Sequence, residues 1–239
     1  MRRILISGGS RGIGRACVRA FARNGDAVAF LYCRNDDAAR KVEAETGAIA
    51  IRADISDPDA VRAAVAETEN KLGGTIDVLI NNAAVAWIGL MQDMTDTEWH
   101  RVLDTNLSGA FYLSRAVVSG MIRNHYGRIL HVGSMWGKTG ASCEVAYSAT
   151  KAGLRGLTMS MAKELGPSGI TVNCIEPGLI DTEMNAALDA DTKASLCADT
   201  PLGRMGTPDE VAKAILFLTS DNAAFITGQI LGVDGGMAI

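Results

Sequence analysis

The chain has 239 residues, of which 48% are hydrophobic and 21% charged, and its formal net charge is −4. That size suits one large α/β domain, 1–239, with a core big enough to need neither metal nor disulfide staples. An acidic balance without any Lys/Arg block excludes the electrostatic footprint of a nucleic-acid or anionic-membrane partner.

Met1-Arg2-Arg3-Ile4-Leu5-Ile6 runs directly into a buried-strand pattern, so no secretory leader is expected and the predicted location is cytoplasmic. Short Val- and Ile-rich runs predict strands at Arg3–Ser7, Ala27–Tyr32, Ala48–Ala53, Val78–Ile80, Arg128–Val132, Thr171–Ile175 and Gln229–Val233. Helical patterns lie between them, among them Gly12–Asn24, Asp57–Leu72, Glu98–Arg123, Tyr147–Leu165 and Pro208–Thr219. Strands apolar on both faces, each followed by a helix, predict a doubly wound (Rossmann) α/β fold. Its parallel sheet has about seven strands, with helices on both faces and ligands at the strands' carboxyl ends. Thr182–Thr200 is the least strand-like stretch and is placed as a candidate lid. No apolar run approaches the ~18 residues that cross a bilayer. Cys17, Cys33, Cys143, Cys174 and Cys197 are scattered and odd in number, and read as reduced thiols. His100, His125 and His131 are too dispersed for a metal site, so none is expected.

After the first strand comes Ser7-Gly8-Gly9-Ser10-Arg11-Gly12-Ile13-Gly14, then a helix. Glycines there let backbone N–H groups approach a pyrophosphate at the helix N-terminus. At the end of the second strand an NAD-selective site would carry an acid to bind the ribose 2′-hydroxyl. The chain instead reads Leu31-Tyr32-Cys33-Arg34-Asn35, and Arg34 with Arg11 suits a 2′-phosphate. NADPH/NADP+ is therefore expected in preference to NADH.

Tyr147-Ser148-Ala149-Thr150-Lys151 places a phenol and an amine one helical turn apart, and Ser134 follows a predicted strand thirteen residues upstream. With these residues the chain resembles a short-chain dehydrogenase/reductase over essentially its whole length, in the 3-oxoacyl-acyl-carrier-protein reductase-like branch. The resemblance puts the catalytic tetrad at Asn106, Ser134, Tyr147 and Lys151, with Asn106 anchoring a water that links Lys151 to solvent. It puts the cofactor turn at Gly8, Gly12 and Gly14, with Ser7 where Thr is usual, and the adenine contacts at Asp54 and Ile55. Asn81-Asn82-Ala83 matches a further cofactor turn, although Ala84 replaces its glycine. Pro177-Gly178-Leu179-Ile180-Asp181-Thr182 matches the nicotinamide-side segment. Gly228-Gln229 and Asp234-Gly235-Gly236 match the branch's ending.

The chemistry asks for these residue types. Reducing a ketone delivers hydride to carbon and a proton to oxygen, and a phenol with an ordinary value near 10 is a sluggish proton partner at neutral pH. Lys151 and the positive nicotinamide of the oxidised cofactor are expected to favour the phenolate. A drop of two to three units corresponds to roughly 3–4 kcal/mol. Ser134 would hydrogen-bond the substrate oxygen as charge develops. The Tyr-x3-Lys spacing favours C=O over C=C reduction, because enoyl-reducing relatives carry a longer one.

The ketone is less defined. Where 3-oxoacyl-acyl-carrier-protein reductases often carry basic residues that dock the carrier, this chain has His125 and Ser168, with Arg123 and Arg128 nearby. The stretch from Ser134-Met135-Trp136-Gly137 to Tyr147 resembles instead a subgroup that reduces a 5-aminopentanone on a lysine of elongation factor P. Glu144 is a candidate contact for a cationic amine, and Trp87 and Trp136 are candidate cleft walls. A sugar or steroid alcohol dehydrogenase and a non-catalytic NADP-binding protein remain rival classes. The resemblance also implies a homotetramer, with the Glu98–Arg123 and Tyr147–Leu165 regions at an interface.

Overall fold

In the computed structural model, which describes residues 1–186 and 189–238, seven parallel strands form one sheet of order β3-β2-β1-β4-β5-β6-β7. The strands are β1 (Arg3–Ser7), β2 (Ala27–Tyr32), β3 (Ile49–Arg52), β4 (Val78–Asn81), β5 (Gly127–Val132), β6 (Ile170–Pro177) and β7 (Ile230–Val233). The helices are α1 (Gly12–Arg23), α2 (Asp36–Thr46), α3 (Pro58–Leu72), α4 (Asp96–Leu103), α5 (Gly109–Asn124), α6 (Trp136–Thr139), α7 (Val145–Leu165), α8 (Ala190–Ala198) and α9 (Pro208–Leu218).

The alternation within each strand explains the layering. Ile4, Ile6, Phe30, Val78, Ile80 and Leu130 point into a core shared with α1, α2 and α9. Their strand neighbours Leu5, Leu31, Leu79 and Ile129 point the other way, into a core shared with α3, α5 and α7. A strand with both faces buried must be apolar throughout, which is the pattern the sequence carries. Chain order reverses between β1 and β4, and that junction is where an open α/β sheet leaves a crevice at its carboxyl edge.

Four differences from the sequence expectation matter. The stretch Glu98–Arg123 is not one helix: α4 ends at Leu103, a wide π-type turn spans Asp104–Ser108, and α5 begins at Gly109. Such a turn preserves helical periodicity in sequence while re-aiming side chains, here that of Asn106. β6 runs longer than Thr171–Ile175, reaching Pro177 through the polar Glu176. Two helices outside the named patterns, α2 and the short α6, fill the connections after β2 and β5. The Thr182–Thr200 stretch contains α8, and its Ala187 and Leu188 lie outside the described residues.

Candidate active site

Because all strands are parallel, the residues that follow β1 to β6 gather along one edge of the sheet. Ser7 knits the first two of these segments together. Its Oγ accepts from the backbone N–H groups of Asn82 and Ala83, each at 3.0 Å, and the Asn82 amide donates back to the Ser7 carbonyl at 3.0 Å and the Gly8 carbonyl at 3.2 Å. A Cβ on Gly14 would fall 2.1 Å from the Gly8 carbonyl oxygen, so the turn closes only with glycine there.

Several of the scaffold helices are capped by side chains, and α1 is among those that are not. Asn35, Asp57, Thr95 and Thr207 each cap a helix through their side chains. At α1, Arg11 provides no side-chain cap and the first turn holds no acid. The free N–H groups and the helix dipole therefore face the carboxyl edge without a partner. Arg11 and Arg34 are both exposed, and neither forms an ion pair among the described residues. An uncapped N-terminus beside two free guanidinium groups fits a phosphate-bearing dinucleotide. Asp54 lies on the same rim, held below its ordinary value by hydrogen bonds from Ser56 and by Cys33 and Arg34. Ile55 and Ile180 turn their side chains into the cores, so only their backbones face the rim. Gly12 looks toward Thr182, where a Cβ would lie 3.5 Å from the threonine methyl.

Further along the edge, Ser134 follows β5, and its Oγ accepts from the Trp136 N–H at 3.2 Å. The Met135 N–H donates to the Pro177 carbonyl at 3.1 Å, which ties the serine loop to the Pro177-Gly178 turn. On the other side, a Cβ on Gly137 would sit 2.7 Å from the backbone carbon of Lys151, so α6 rests directly on α7. Lys151 is buried and its Nζ donates to the Val132 carbonyl at 2.7 Å, with the Tyr147 ring centroid 5.4 Å away. Asn106 is buried too. Its Oδ1 accepts from the Val85 N–H at 2.8 Å, and its Nδ2 donates to the Val85 carbonyl at 2.9 Å and to Thr150 Oγ1 at 3.2 Å. Both amide hydrogens are thus committed to protein, clamping the loop after β4 to α7.

Burial dominates the electrostatics of Tyr147 and Lys151. Burial raises the Tyr147 phenol to about 12, the Glu144 carboxylate adds to that rise, and the neighbouring Ser134 hydroxyl works against it. Burial also pushes Lys151 down to about 8. A lysine that is itself desolvated, and hydrogen-bonded to Val132, does not outweigh the burial of the phenol. In this state Tyr147 is held as a phenol, not drawn toward phenolate.

Glu144 is half-buried at the start of α7, with burial raising its carboxyl. Trp87 is fixed from the far side: its indole N–H donates to Glu98 Oε1 at 2.7 Å. Arg128 leaves the carrier-facing set, since it is 5% exposed, stacks 4.4 Å over Tyr126 and reaches Asp221 at 3.3 Å. Arg123 stays exposed. The sequence reading gave no part to Thr150, Arg155 or Glu176, and took Ser7 only as a variant of the glycine turn and His131 only as a histidine too isolated to bind metal. A polar residue inside an apolar strand, as at His131 and Glu176, was the available signal.

Residues 8–238 match the family model described as Enoyl-(Acyl carrier protein) reductase. The chain is 42% identical over 233 residues to the acetoacetyl-CoA reductase of Shinella zoogloeoides, across 97% of this chain and 96% of that protein. It is 39% identical over 235 residues to the 3-oxoacyl-acyl-carrier-protein reductase of Escherichia coli K12, across 98% and 96%. The crystal structure of 3-oxoacyl-acyl carrier protein reductase from Brucella melitensis superposes with a TM-score of 0.93 at 36% identity, covering 100% of this chain and 91% of that one.

Proposed function

Since the chain belongs to the short-chain dehydrogenase/reductase family, oxidoreductases that interconvert C=O and CH–OH, in its 3-oxoacyl-acyl-carrier-protein reductase-like branch, we propose that it reduces the ketone of a 3-oxoacyl thioester with NADPH. The support is the convergence of Ser134, Tyr147 and Lys151 beside a glycine turn whose helix N-terminus carries no cap.

In this reading the N–H groups opening α1 hold the pyrophosphate, and Arg11 and Arg34 hold the 2′-phosphate. Asp54 and the Ile55 backbone flank the adenine, while Asn82, Ala83, Pro177, Gly178, Ile180 and Thr182 line the rest of the path. When bound, the dihydronicotinamide supplies the hydride that adds to the carbonyl carbon. Ser134 donates a hydrogen bond to the carbonyl oxygen as negative charge builds there. Tyr147 gives its O–H proton to that oxygen, and Lys151 returns a proton to the phenolate. Asn106 positions this apparatus by fixing Val85 against Thr150.

A second reading has its own observation. The Glu144 carboxylate lies close enough to raise Tyr147, so a negative group borders the reacting oxygen's position. That favours a ketone with a cationic amine, as in the 5-aminopentanone on a lysine of elongation factor P, over a neutral acyl chain. Exposed Phe111 on α5 and Met159 on α7 support self-association as a homotetramer, to be measured by light scattering.

The deciding experiment compares NADPH oxidation rates on a 3-oxoacyl thioester, with and without carrier protein, and on ketone-modified elongation factor P. Preference for the thioester supports the first reading and preference for the modified factor the second. Absence of turnover on every ketone would remove both. Glu144→Gln separates the charge effect: because the carboxylate acts on Tyr147 for both substrates, the test is the ratio of the rate on an amino-ketone to that on a neutral ketone, which should fall. An unchanged ratio would sink the role assigned to Glu144.

A further inference from the structure

The chemistry above leaves a buried polar layer between α7 and the sheet without a task. His131 on β5 pairs in register with Cys174 on β6, and Glu176, two residues on, shares that face. Burial and the nearby Lys151 push the imidazole down to about 4, and burial pushes the Cys174 thiol up to about 12, so neither offers a countercharge. Glu176 does carry one. Its side chain is 5% exposed, and the Nη1 of Arg155 reaches Oε1 at 2.7 Å and Oε2 at 2.6 Å.

The location of this pair is informative. Arg155 stands one turn beyond Lys151 and two beyond Tyr147 on the same helix. Glu176 immediately precedes Pro177-Gly178, and the Pro177 carbonyl accepts from Met135, the neighbour of Ser134. One ion pair therefore joins the helix bearing the proton donor to the strand end assigned to the hydride side, with the serine loop attached. Arg155 is 30% exposed, so the pair is half-buried, and such a pair is still a weak source of stability, because desolvation of Glu176 offsets much of its attraction and an apolar pair would pack there about as favourably. What such a pair supplies is one defined register between the two elements it joins.

We propose that Arg155 and Glu176 are positioning residues that set Tyr147 and Lys151 at the working distance from the Pro177-Gly178 turn. This rests on the reductase reading, and the test separates the two. The apolar double variant Arg155→Met/Glu176→Met removes the charges while filling the space, and Glu176→Gln and Arg155→Lys serve as milder variants if the double one fails to fold. Each is compared with wild type by thermal melting, by kcat and KM, and by the primary isotope effect with NADPH deuterated at the transferred position. Nicotinamide fluorescence of the NADPH complex supplies a readout that requires no turnover.

The double variant should melt at or above the wild-type temperature. Its kcat should fall tenfold or more with ketone KM within about threefold, its isotope effect should rise, and its nicotinamide emission should shift at an unchanged NADPH Kd, since the α1 turn holds the phosphates. Arg155→Lys, which keeps a charge on the strut, should recover part of kcat. A lower melting temperature with kcat, isotope effect and emission all as in wild type would overturn the proposal. If wild type itself turned over no ketone, the reductase reading would fall, and the emission comparison would still decide whether the pair sets the register.

Discussion

Lys151 offers a test of the site's physics that needs no substrate. Its ordinary value is 10.5 and burial in the fold pushes it down to about 8. At about 1.4 kcal/mol per unit, holding the ammonium inside the folded chain near neutral pH opposes folding by roughly 3 kcal/mol. Between about 8 and 10.5 the unfolded chain binds the proton and the folded one has released it, so this contribution to stability rises with pH across that window. Below about 8 the unfavourable contribution is present in full. Lys151→Met removes the charge and also the donor to the Val132 carbonyl, a loss of about 1 kcal/mol. The variant should therefore be more stable than wild type by roughly 2 kcal/mol near pH 7, in urea titrations followed by circular dichroism. Its advantage should shrink by about 2.5 kcal/mol on going to about pH 10, leaving the two proteins level or wild type slightly ahead. Comparing the two proteins at each pH cancels the groups that do not interact with Lys151, and a Cys174→Ala background removes the thiol that does. A difference that stayed constant from about pH 7 to about pH 10 would refute the desolvation argument for Lys151.

Tyr147→Phe should lower kcat at least about a hundredfold and leave the NADPH Kd, read by fluorescence titration, within about threefold. The alkaline limb of kcat should lie near 8, where the buried ammonium is lost, and Lys151→Arg, which stays charged, should move that limb upward even if it turns over slowly. Arg34→Ala should weaken NADPH by roughly 1.5–3 kcal/mol, about tenfold or more, while NADH affinity is unchanged, in parallel calorimetric titrations.

The central strands were legible because each is buried on both faces, a requirement that writes itself into consecutive residues such as Ile4, Leu5 and Ile6. The Tyr147-to-Lys151 spacing was legible for a similar reason, since one helical turn is a local relation. The break between α4 and α5 was not, because a π-type turn keeps apolar residues near helical spacing while shifting the face that Asn106 presents. Nor was the partnership of Arg155 with Glu176, which joins residues 21 apart and depends on how α7 lies across β6. Arg128 shows the same limit in reverse: a charge read as exposed turns inward onto Tyr126 and Asp221. The direction of the Tyr147 shift was hidden as well. Sequence shows the lysine one turn away but says nothing of how much water the phenol loses.

With the phenol at about 12, forming the phenolate near neutral pH demands about 7 kcal/mol before any alcohol can hand over its proton. Donating a proton to a ketone oxygen requires nothing of the kind, because the phenol is already the dominant form. Glu144 adds negative charge on the same side and reinforces the protonated state of Tyr147, while the desolvated ammonium of Lys151 does not outweigh the burial of the phenol. A positive charge brought beside the phenol, such as the oxidised nicotinamide would supply, narrows that gap. α6 closes onto the backbone of Lys151 in α7 at Gly137, and a side chain there would have to separate those helices and admit water. Gly137→Ala should therefore relax Tyr147 and Lys151 together. In spectrophotometric titration the tyrosinate attributable to Tyr147 should appear at lower pH, and the alkaline limb of kcat should rise toward the ordinary lysine range. If the phenol moved and the lysine did not, burial would not be their common cause.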